Sequence, residues 1–405
     1  MDDSFHRARA LFVAGVGHYE AGRFGDAEAA FEASLQALPG RASTLANLGA
    51  TRLRLGRPEA ALRVLDEALT VSPDDLDALS HRGAALSALG RHGEALAGHE
   101  RALALAPGRV VDAFGKAAAL ATLGRSDEAI AAFDATLALA PHHAEAWSQR
   151  GSVLREAGRL AEAKASYRQA IAEGGDADAN GYFLAALDGS GPSPMAPPLG
   201  YVEVLFDHYA AGFGAHLVQA LGYRAPQELA RGLAQLDAAA AQPDRRYASG
   251  LDLGCGSGLC APAFAAQVAA LDGVDLSSRM IEQARAGGLY RRLDRADLVA
   301  WLEAADVRYE LVVAADVFIY VGALDRAFAG VRRVLAPGGR FCFSAEKAGD
   351  GEPDWVLRTS LRYAHTRHGI EALAARTGFR VDRVAEAPIR DEQRVPVDGL
   401  YVYLS

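Results

Sequence analysis

Prolines, glycines and alanines recur at a constant spacing in the first half of this chain of 405 residues. The interval is 34 residues, and it holds across five successive units. The three series are Pro39, Pro73, Pro107 and Pro141; Gly22, Gly56, Gly90, Gly124 and Gly158; and Ala27, Ala61, Ala95, Ala129 and Ala163. A period held this strictly indicates an array of structural repeats rather than one globular core.

Each unit has the features of two helices joined by a short turn. The glycine of "LGR" tolerates the bend, small residues allow the helices to approach closely, and proline ends the second helix. The large apolar side chains that fill the space between repeats are Phe31, Leu65, Phe133 and Tyr167. Because no unit buries its own apolar face, the units must stack, which predicts an N-terminal α-solenoid.

This pattern resembles the tetratricopeptide repeat family over residues 8–175. The residues that match its signature well are Trp147, Gly151, Gly158, Ala163 and Tyr167. The resemblance implies a concave groove lined by the first helix of each unit, and its inward positions include Asn47, His81, Phe114, Gln149 and Arg155. Most of the Lys, Asn and Arg residues with which some members clamp a peptide carboxylate are missing. Peptide or protein partners, or a homo-oligomer formed through the repeats, are expectations of this resemblance.

A stretch rich in Pro, Gly and Ser, "GSGPSPMAPPLG", separates the two halves of the chain. The preceding segment, "ANGYFLAALDG", is suited to a helix that caps the solenoid. A chain of this length is too long for one compact core. We therefore expect repeats and a capping helix over residues 1–188, a semi-rigid linker over 189–200, and a second domain over 201–405.

Strand-like and helix-like segments alternate after about residue 245. The expected strands are "GLDLGC", "DGVDLS", "YELVVAADVFIYV", "GRFCFSAE", "RVDRVAEAPIR" and "LYVYLS". The expected helices are "APAFAAQVAAL", "SRMIEQARAG", "ALDRAFAGVRRVL" and "GIEALAARTGF". This alternation predicts a mainly parallel sheet with helices on both faces and a ligand at the carboxyl ends of the strands.

The first of these strands ends in a glycine-rich turn, "LDLGCGSGL", which contains Asp252 ahead of the glycines. A P-loop requires Lys after its glycines, whereas Leu259 follows Gly258 here, so nucleoside triphosphate binding is not expected. The turn only approximates the dinucleotide motif, and a carboxylate at Asp252 would disfavour a pyrophosphate. S-adenosylmethionine, which carries ammonium and sulfonium groups and no phosphate, fits better. Asp275 can accept both of its ribose hydroxyls, although this acid would serve NAD equally.

The motifs "LDLGCGSG", "GVDLSS", "RADL", "LVVAADVFIYVG" and "VLAPGGRF" occur in the order found in class I S-adenosylmethionine-dependent methyltransferases, which residues 245–405 resemble. The resemblance implies a Rossmann-like seven-stranded sheet whose last strand is antiparallel, and S-adenosyl-L-homocysteine as product. It also implies that the 254–258 backbone lies against the methionine part of the cofactor and that Asp275 holds the ribose. Residues 201–226 look like the lead-in of a bacterial group that joins tetratricopeptide repeats to a methyltransferase, although Gly214 stands where that group commonly has Asp.

The predicted cofactor site combines the turn, two strand ends and a lid. Asp297 can accept from the adenine amino group, Met280 and Leu298 can pack on the adenine, and Tyr209 and His216 are lid candidates. The full set is Asp252, Gly254, Cys255, Gly256, Gly258, Asp275, Leu276, Met280, Asp297, Leu298, Asp316, Tyr209 and His216.

Two residues are expected to contribute at the methyl acceptor. Tyr320 follows the fourth strand and is predicted to form a wall of the acceptor pocket, and His365 is the candidate general base. A base helps when the acceptor is a hydroxyl or an amine, and it is not needed for a thiol or a carboxylate. The acceptor itself, whether a peptide, a protein or a small molecule, is left open.

Charge and composition exclude several other classes. The net charge of −9, without a basic stripe, is not typical of a nucleic-acid binder. The three cysteines lack the spacing of metal ligands, which predicts reduced, structural thiols and no metal site. The sequence has no apolar stretch long enough to span a membrane. Together these features predict a cytoplasmic protein. Two alternatives stay open: a scaffold with a degenerate cofactor domain, and an NAD-dependent oxidoreductase.

Overall fold

The computed structural model describes residues 2–189, 193–209, 222–392 and 395–405. The chain divides into two compact units, one ending at Asn180 and the other beginning at Gly181. This division falls inside a helix, whereas the linker predicted from the sequence lies over 189–200.

The described end of the predicted linker is fixed to the second unit by hydrogen bonds. The carbonyl of Pro194 accepts from the hydroxyl of Tyr363 at 2.7 Å. The carbonyl of Met195 accepts from the backbone N–H groups of Gly322 and Ala323 at 2.9 and 3.0 Å. In its described part, this segment is therefore a packed strap of the second unit.

Five helix pairs form the repeats, and an eleventh helix follows them. The helices are α1 (Asp2–Glu20), α2 (Phe24–Ala37), α3 (Ala42–Arg54), α4 (Pro58–Val71), α5 (Leu76–Ala88), α6 (His92–Leu105), α7 (Val110–Thr122), α8 (Ser126–Leu139), α9 (Ala144–Glu156), α10 (Leu160–Ala172) and α11 (Ala177–Asp188). The glycines of the periodic turns have φ between +71° and +74°, at Gly22, Gly56, Gly90, Gly124 and Gly158. Glycine adopts this left-handed conformation without steric cost, so the predicted α-solenoid is confirmed together with the reason for its period.

A second series of glycines at the same spacing provides room for a large side chain of the paired helix. Its members are Gly15, Gly49, Gly83 and Gly151, and Ala117 takes this place in the fourth unit. A Cβ on Gly15 would lie 2.6 Å from the ring of Phe31, and one on Gly151 would lie 2.7 Å from the ring of Tyr167. Both rings are completely buried. Close packing of helix pairs therefore depends on the absence of a side chain at these positions.

One unit carries a buried polar cluster in place of an apolar residue. His99 lies at the position that Phe31 occupies in its own unit, and its Nδ1 lies 2.9 Å from a carboxylate oxygen of Asp112. The completely buried Asp112 carboxylate also accepts from the hydroxyl of Ser80 and from Nε of Arg109, both at 2.8 Å. Burial alone would raise the pKa of Asp112, but the hydrogen bonds from its three partners hold that pKa below its usual value.

The second unit alternates strands and helices. Its elements are α12 (Leu199–Tyr209), α13 (Ala225–Ala239), β1 (Gly250–Leu253), α14 (Cys260–Phe264), β2 (Leu271–Asp275), α15 (Ser278–Gly287), β3 (Arg292–Arg295), α16 (Leu298–Ala304), β4 (Tyr309–Ala314), a 3₁₀ turn (Phe318–Tyr320), α17 (Asp325–Val334), β5 (Leu335–Lys347), β6 (Trp355–Leu357), β7 (Tyr363–His365), α18 (Arg367–Arg376), β8 (Val381–Glu392) and β9 (Val395–Leu404).

The strands form one mixed sheet, with nine strands in the described residues. Strands β3-β2-β1-β4-β5 are parallel neighbours, and β9 pairs antiparallel with both β5 and β8. These seven strands agree with the sheet expected from the sequence, including its antiparallel last strand. The hairpin β6–β7 is an addition that the sequence analysis did not predict, and β7 pairs parallel with the end of β5 through Glu346 and Ala364.

An apolar core lies on each face of the sheet. One core brings Phe328 of α17 and Leu373 of α18 against Phe341 and Phe343 of β5. The other core includes Leu229 and Leu233 of α13, Phe264 of α14, and Tyr401 and Tyr403 of β9. Helices therefore cover both faces, as the strand–helix alternation predicted.

Helix α14 is shorter than the segment "APAFAAQVAAL" suggested, because it ends at Phe264. The next residues pair with the chain ahead of β1: the N–H of Tyr247 donates to the carbonyl of Gln267 at 2.7 Å, and that of Ala269 donates to the carbonyl of Tyr247 at 2.8 Å. Extended pairing of this kind is incompatible with continued helix.

Within the residues that the structure describes, no helix combines the length and apolar character needed to cross a membrane.

Candidate active site

A cavity of about 310 Å³ opens at the carboxyl ends of β1, β2 and β4 in the second unit. The glycine turn after β1, the acidic end of β2, the start of α16 and the 3₁₀ turn line its walls. Residues of the 196–206 segment, Tyr223, Pro226 and Arg362 also contribute. This is the edge at which parallel α/β sheets bind their ligands.

The glycine turn forms part of the cavity wall through Gly254, Cys255 and Gly256, and the N–H groups of these residues are hydrogen-bonded within the protein. The N–H groups of Gly254 and Cys255 both donate to the carbonyl of Val274, at 2.8 and 3.0 Å. The N–H of Gly256 donates to Asp275 at 2.8 Å. These donors already have acceptors within the protein, so they are not free to bind a pyrophosphate.

Glycine is required at the first position of the turn. Gly254 has φ +65°, and a Cβ there would lie 2.5 Å from a side-chain carbon of Val317. Gly256 and Gly258 also have positive φ, +52° and +94°. Gly258 does not line the cavity, although it belongs to the predicted set.

Asp275 is the acid at the end of β2, and it lines the cavity. Its two carboxylate oxygens accept from the N–H groups of Gly256 and Ser277, at 2.8 and 2.9 Å. Burial raises the pKa of Asp275, and the two backbone donors oppose that rise. Each oxygen keeps a further lone pair, so the carboxylate can accept from a diol in the cavity.

Asp252 does not face the cavity, which corrects the sequence-based expectation. It is completely buried in β1, and its carboxylate accepts from the hydroxyl of Tyr290 at 2.6 Å. Side chains within a strand point toward the faces of the sheet rather than out of its end. Burial raises the pKa of Asp252 to about 7, so its charge is also only partial at neutral pH. Asp252 therefore does not disfavour a phosphate in the cavity through its charge. The case against a phosphate depends instead on the N–H groups of Gly254, Cys255 and Gly256, which already have acceptors.

The predicted adenine contacts are only partly brought together. Leu276, Asp297 and Leu298 line the cavity, and Asp297 also caps α16 by accepting from the N–H of Ala300 at 2.8 Å. Met280 is completely buried and is not among the cavity-lining residues. Its place in α15 directs it into the core, so the structure does not support its predicted packing on adenine.

Asp316 and Tyr320 line the same cavity beyond β4. Asp316 has φ +59°, a strained value for a non-glycine residue, and its N–H donates to the hydroxyl of Ser344 at 2.8 Å. Tyr320 packs edge to face against Phe206, with ring centroids 5.1 Å apart. Burial raises the pKa of Tyr320, so its hydroxyl keeps its proton at neutral pH.

A buried ionic network holds Asp316 in place. Both of its carboxylate oxygens lie 2.8 Å from Nη1 of Arg390, whose side chain is 1% exposed. Arg390 also contacts Glu346, and its Nε donates to Glu392 at 2.9 Å. Glu392 in turn contacts Arg362, which lines the cavity.

The sequence analysis missed both arginines of this network. Arg362 lies within the segment "RYAHTRHG", and a cationic residue next to a predicted acceptor region was an available signal. Arg390 lies 74 residues from Asp316 along the chain, so no local pattern links the two.

His365 does not line the cavity, although it was the predicted base. It is buried in β7, and its Nε2 lies 3.1 Å from the carbonyl oxygen of Gly322. Burial lowers the pKa of His365 to about 4. Its buried place within the β6–β7 hairpin fits a structural role in this geometry.

Helix α12 covers part of the cavity through Leu199, Val202 and Phe206. Polar contacts fasten this helix: Glu203 pairs with Arg295, and Asp207 accepts from the hydroxyl of Ser277 at 2.5 Å and, through its carbonyl, from Nη1 of Arg279 at 3.2 Å. The sequence analysis placed the lid further along the chain, at Tyr209 and His216. His216 and the side chain of Tyr209 lie outside the described residues.

Four of the five predicted groove residues in the repeats have defined contacts: Gln149 donates to Glu145 at 3.0 Å, Arg155 donates to Glu156 at 3.1 Å, and the other two are Phe114 and Asn47. The ring of Phe114 stacks on His143, with centroids 4.8 Å apart, and Asn47 donates to the carbonyl of Ser43 at 2.8 Å. Burial lowers the pKa of His81.

Comparison with known proteins assigns both units. A family model described as a methyltransferase domain matches residues 251–339, and two tetratricopeptide repeat models match residues 18–85 and 114–192. The chain is 37% identical over 150 residues to a malonyl-[acyl-carrier protein] O-methyltransferase of Geobacter sulfurreducens. That match covers 32% of this chain and 55% of the relative, so the chain spans about half the length of the curated relative.

Solved structures similar to the chain include two proteins, each of which matches about two fifths of it. One is the MamA protein, with 22% identity and a TM-score of 0.38, over 43% of this chain and 93% of that chain. Another is TTC0263, a thermophilic tetratricopeptide protein of Thermus thermophilus, with 26% identity and a TM-score of 0.37, over 41% of this chain and 91% of that chain. From the family models and the curated relative, the chain joins tetratricopeptide repeats to a methyltransferase domain.

Proposed function

We propose that this chain is an S-adenosylmethionine-dependent methyltransferase. The observation that carries the proposal is the pairing of Asp275 with the glycine turn: a carboxylate lines the cavity, while the N–H groups of Gly254, Cys255 and Gly256 already have acceptors. Such a site suits an adenosyl ligand that carries a ribose diol and no phosphate.

The cavity residues fit the parts of that cofactor. Asp275 would accept from the ribose hydroxyls, Leu276 and Leu298 would pack on the adenine, and Asp297 would accept from its amino group. The backbone of Gly254 and Gly256 would lie against the methionine part. When bound, S-adenosylmethionine supplies a methyl group on a positively charged sulfur, and the protein contributes alignment and exclusion of water.

Helix α12 is suited to the exclusion of water. Val202 and Phe206 place apolar surface on the cavity, and the Glu203–Arg295 pair lies among the contacts that hold the helix to the domain. Entry of the cofactor requires these contacts to open, which makes α12 a lid in this proposal.

The acceptor and the role of the repeats are finer points of the same proposal. The curated relative is named for methylation of malonyl-[acyl-carrier protein], which keeps both a small acyl group and a protein carrier within the acceptor classes to test. We further propose that the repeats help to bind or shape the acceptor site, and that the protein is cytoplasmic. The boundaries at 188 and 201 also stay proposals, which limited proteolysis would test.

Calorimetry with S-adenosylhomocysteine and with NAD tests the cofactor. We expect binding of S-adenosylhomocysteine and none of NAD. Asp275→Ala should weaken binding by roughly 1–3 kcal/mol, because the ribose hydroxyls would lose a buried acceptor. Asp294→Asn is the matched control, since Asp294 pairs with Arg292 and Trp301 and does not line the cavity. Binding of NAD, or unchanged affinity in Asp275→Ala, would refute the assignment.

A further inference from the structure

We propose that the methyl acceptor is a carboxylate, held by Arg362 and Tyr320 and methylated without a general base. This inference rests on the proposed function, because it places the acceptor in the same cavity as the cofactor. It goes further by naming the class of acceptor and the residues that select it.

Arg362 supplies the positive charge. Within the described residues, it is the one basic side chain that lines the cavity. It pairs with Glu392 through one terminal nitrogen and is hydrogen-bonded to the hydroxyl oxygen of Tyr320. A guanidinium has five N–H donors in a planar fork, so donors beyond these two contacts suit a carboxylate. The Tyr320 O–H, which keeps its proton, is a further donor at the same wall.

The acidic groups of the cavity are poorly suited to removing a proton. Asp275 accepts from two backbone N–H groups, and Asp297 caps a helix. Asp316 is bound through both oxygens by the buried Arg390. Because both oxygens of Asp316 are engaged by this guanidinium, its carboxylate is poorly placed to take a proton from an acceptor. His365, the one histidine predicted for this role, does not line the cavity.

These two observations select among acceptors. A hydroxyl or an amine would need a base to take its proton, whereas a carboxylic acid with a pKa of about 4 is already ionised at neutral pH. A thiol also avoids a strong base, but it does not use the planar, two-pronged geometry of a guanidinium. The carboxylate is therefore the acceptor that the cavity favours.

The reaction then balances without proton transfer. A lone pair of the carboxylate oxygen forms the new O–CH₃ bond, and the S–CH₃ bond breaks with its electron pair going to sulfur. The products are a methyl ester and the neutral thioether S-adenosylhomocysteine. The carboxylate and the sulfonium lose their charges together, so Arg362 positions the nucleophile and takes no proton.

The remaining cavity wall describes the rest of the acceptor. The cavity lining as a whole is mostly apolar and includes Val202, Pro226 and Phe206, the last of which packs on Tyr320. An acid whose carboxylate is carried on a short hydrocarbon or acyl segment would match these surfaces. A highly charged acceptor would lose hydration here without compensation.

A binding experiment tests the inference independently of turnover. The full-length protein, saturated with S-adenosylhomocysteine, is titrated with sodium butyrate, malonate and benzoate and with the corresponding neutral amides, followed by saturation-transfer NMR. We expect at least one acid to bind and its amide to bind at least tenfold more weakly. Arg362→Gln should lower the affinity for the acid at least tenfold, and Arg362→Lys should lower it less.

The control is Arg358→Gln. Arg358 lies in the same hairpin region and pairs with Glu352, but it does not line the cavity. We expect this variant to bind the acid as the wild type does. Binding of none of the three acids, or equal affinity in the wild type and Arg362→Gln, would overturn the carboxylate proposal.

A second readout identifies the product. Bacterial extract is incubated with the protein and methyl-tritiated S-adenosylmethionine, and the product is treated with alkali. A methyl ester releases its label as volatile methanol, and Arg362→Gln should reduce that release at least tenfold. Label that survives alkali would overturn this inference and leave the proposed function intact. Absence of S-adenosylhomocysteine binding would instead refute the proposed function, so the two failures are distinguishable.

Discussion

The buried polar cluster between α6 and α7 allows a direct test of how the repeats are stabilised. Asp112 is completely buried and accepts from His99, Ser80 and Arg109. In Asp112→Ala, Ser80 keeps its bond to the carbonyl of Leu76, and Arg109 keeps its contact with Asp77. His99 is the group that loses its buried partner outright.

The expected loss follows from that inventory. Removing one member of a buried ionic or polar pair costs about 3–5 kcal/mol when both groups are dry. Here Arg109 still reaches water, so we expect Asp112→Ala to cost about 2–4 kcal/mol. The loss should begin to shrink as the pH falls below about 4, where the unfolded carboxyl takes up a proton, and should vanish only below the lowered pKa of folded Asp112.

The double variant His99→Phe/Asp112→Ala should recover most of the loss. It places at residues 99 and 112, which lie in neighbouring units, the residue types found at the equivalent positions Phe31 and Ala78 of earlier units. The ring of residue 99 already packs on Gly83, where a Cβ would lie 2.4 Å away, as the ring of Phe31 packs on Gly15. Replacement of a buried polar pair by well-packed apolar groups is often neutral or stabilising.

Hydrogen exchange measured by mass spectrometry on peptides of α6 and α7 gives a local readout, which a repeat array requires. A loss of 2–4 kcal/mol corresponds to roughly 30- to 1,000-fold faster exchange of the slowest amides. Asp66→Ala is the matched control, because the Asp66–Arg82 pair is partly exposed and should contribute less than about 1 kcal/mol. If Asp112→Ala matches this control, or the double variant is less stable than the single one, the reasoning is refuted.

Three further predictions concern single residues. Gly124→Ala should destabilise the repeats by about 1 kcal/mol in thermal unfolding because Gly124 has φ +71°, whereas Gly93→Ala in α6 should be neutral or stabilising; equal effects would contradict the turn argument. Gly254→Ala should reduce S-adenosylhomocysteine affinity at least tenfold in calorimetry, since the Cβ would displace Val317 or the turn; unaltered affinity would show that this packing is dispensable. Burial lowers the pKa of folded His365 to about 4, so the unfolded state binds more protons between about pH 4 and 6.5. The free energy of unfolding should therefore rise with pH in this range, by up to about 1.4 kcal/mol per pH unit. The free energy of unfolding, measured with urea at several pH values, should rise less steeply with pH in His365→Asn. It should rise as steeply as in the wild type in the exposed-site control His368→Asn. The same pH dependence in both variants would refute this assignment.

The repeats were predictable because their sequence signal has a local cause. Each periodic glycine occupies a turn that needs φ near +72°, and in four of the five units the large residue packs on a glycine of its paired helix. The parallel sheet was predictable for a similar reason, since strand and helix periodicities differ within short windows. Asp275 could be placed at the cavity because it ends a strand.

The parts that were missed depend on contacts between distant residues. Asp252 was assigned to the cavity from its position in a motif, but the strand directs its side chain to a sheet face, where Tyr290 lies 38 residues further along the chain. The Asp316–Arg390 pair joins residues 74 apart, and the short β6–β7 hairpin buries His365 by pairing with β5. Spacing along the chain does not encode such pairings.

The glycine turn also bears on competition inside a cell. Most adenosine-containing molecules there carry phosphates, and they share the adenine and ribose that Asp275 and its neighbours are suited to accept. Because the N–H groups of Gly254, Cys255 and Gly256 are occupied by Val274 and Asp275, a phosphate placed beside them would give up hydration and gain none of these three donors in return. Part of the selectivity against nucleotides would then come from the backbone conformation of the turn.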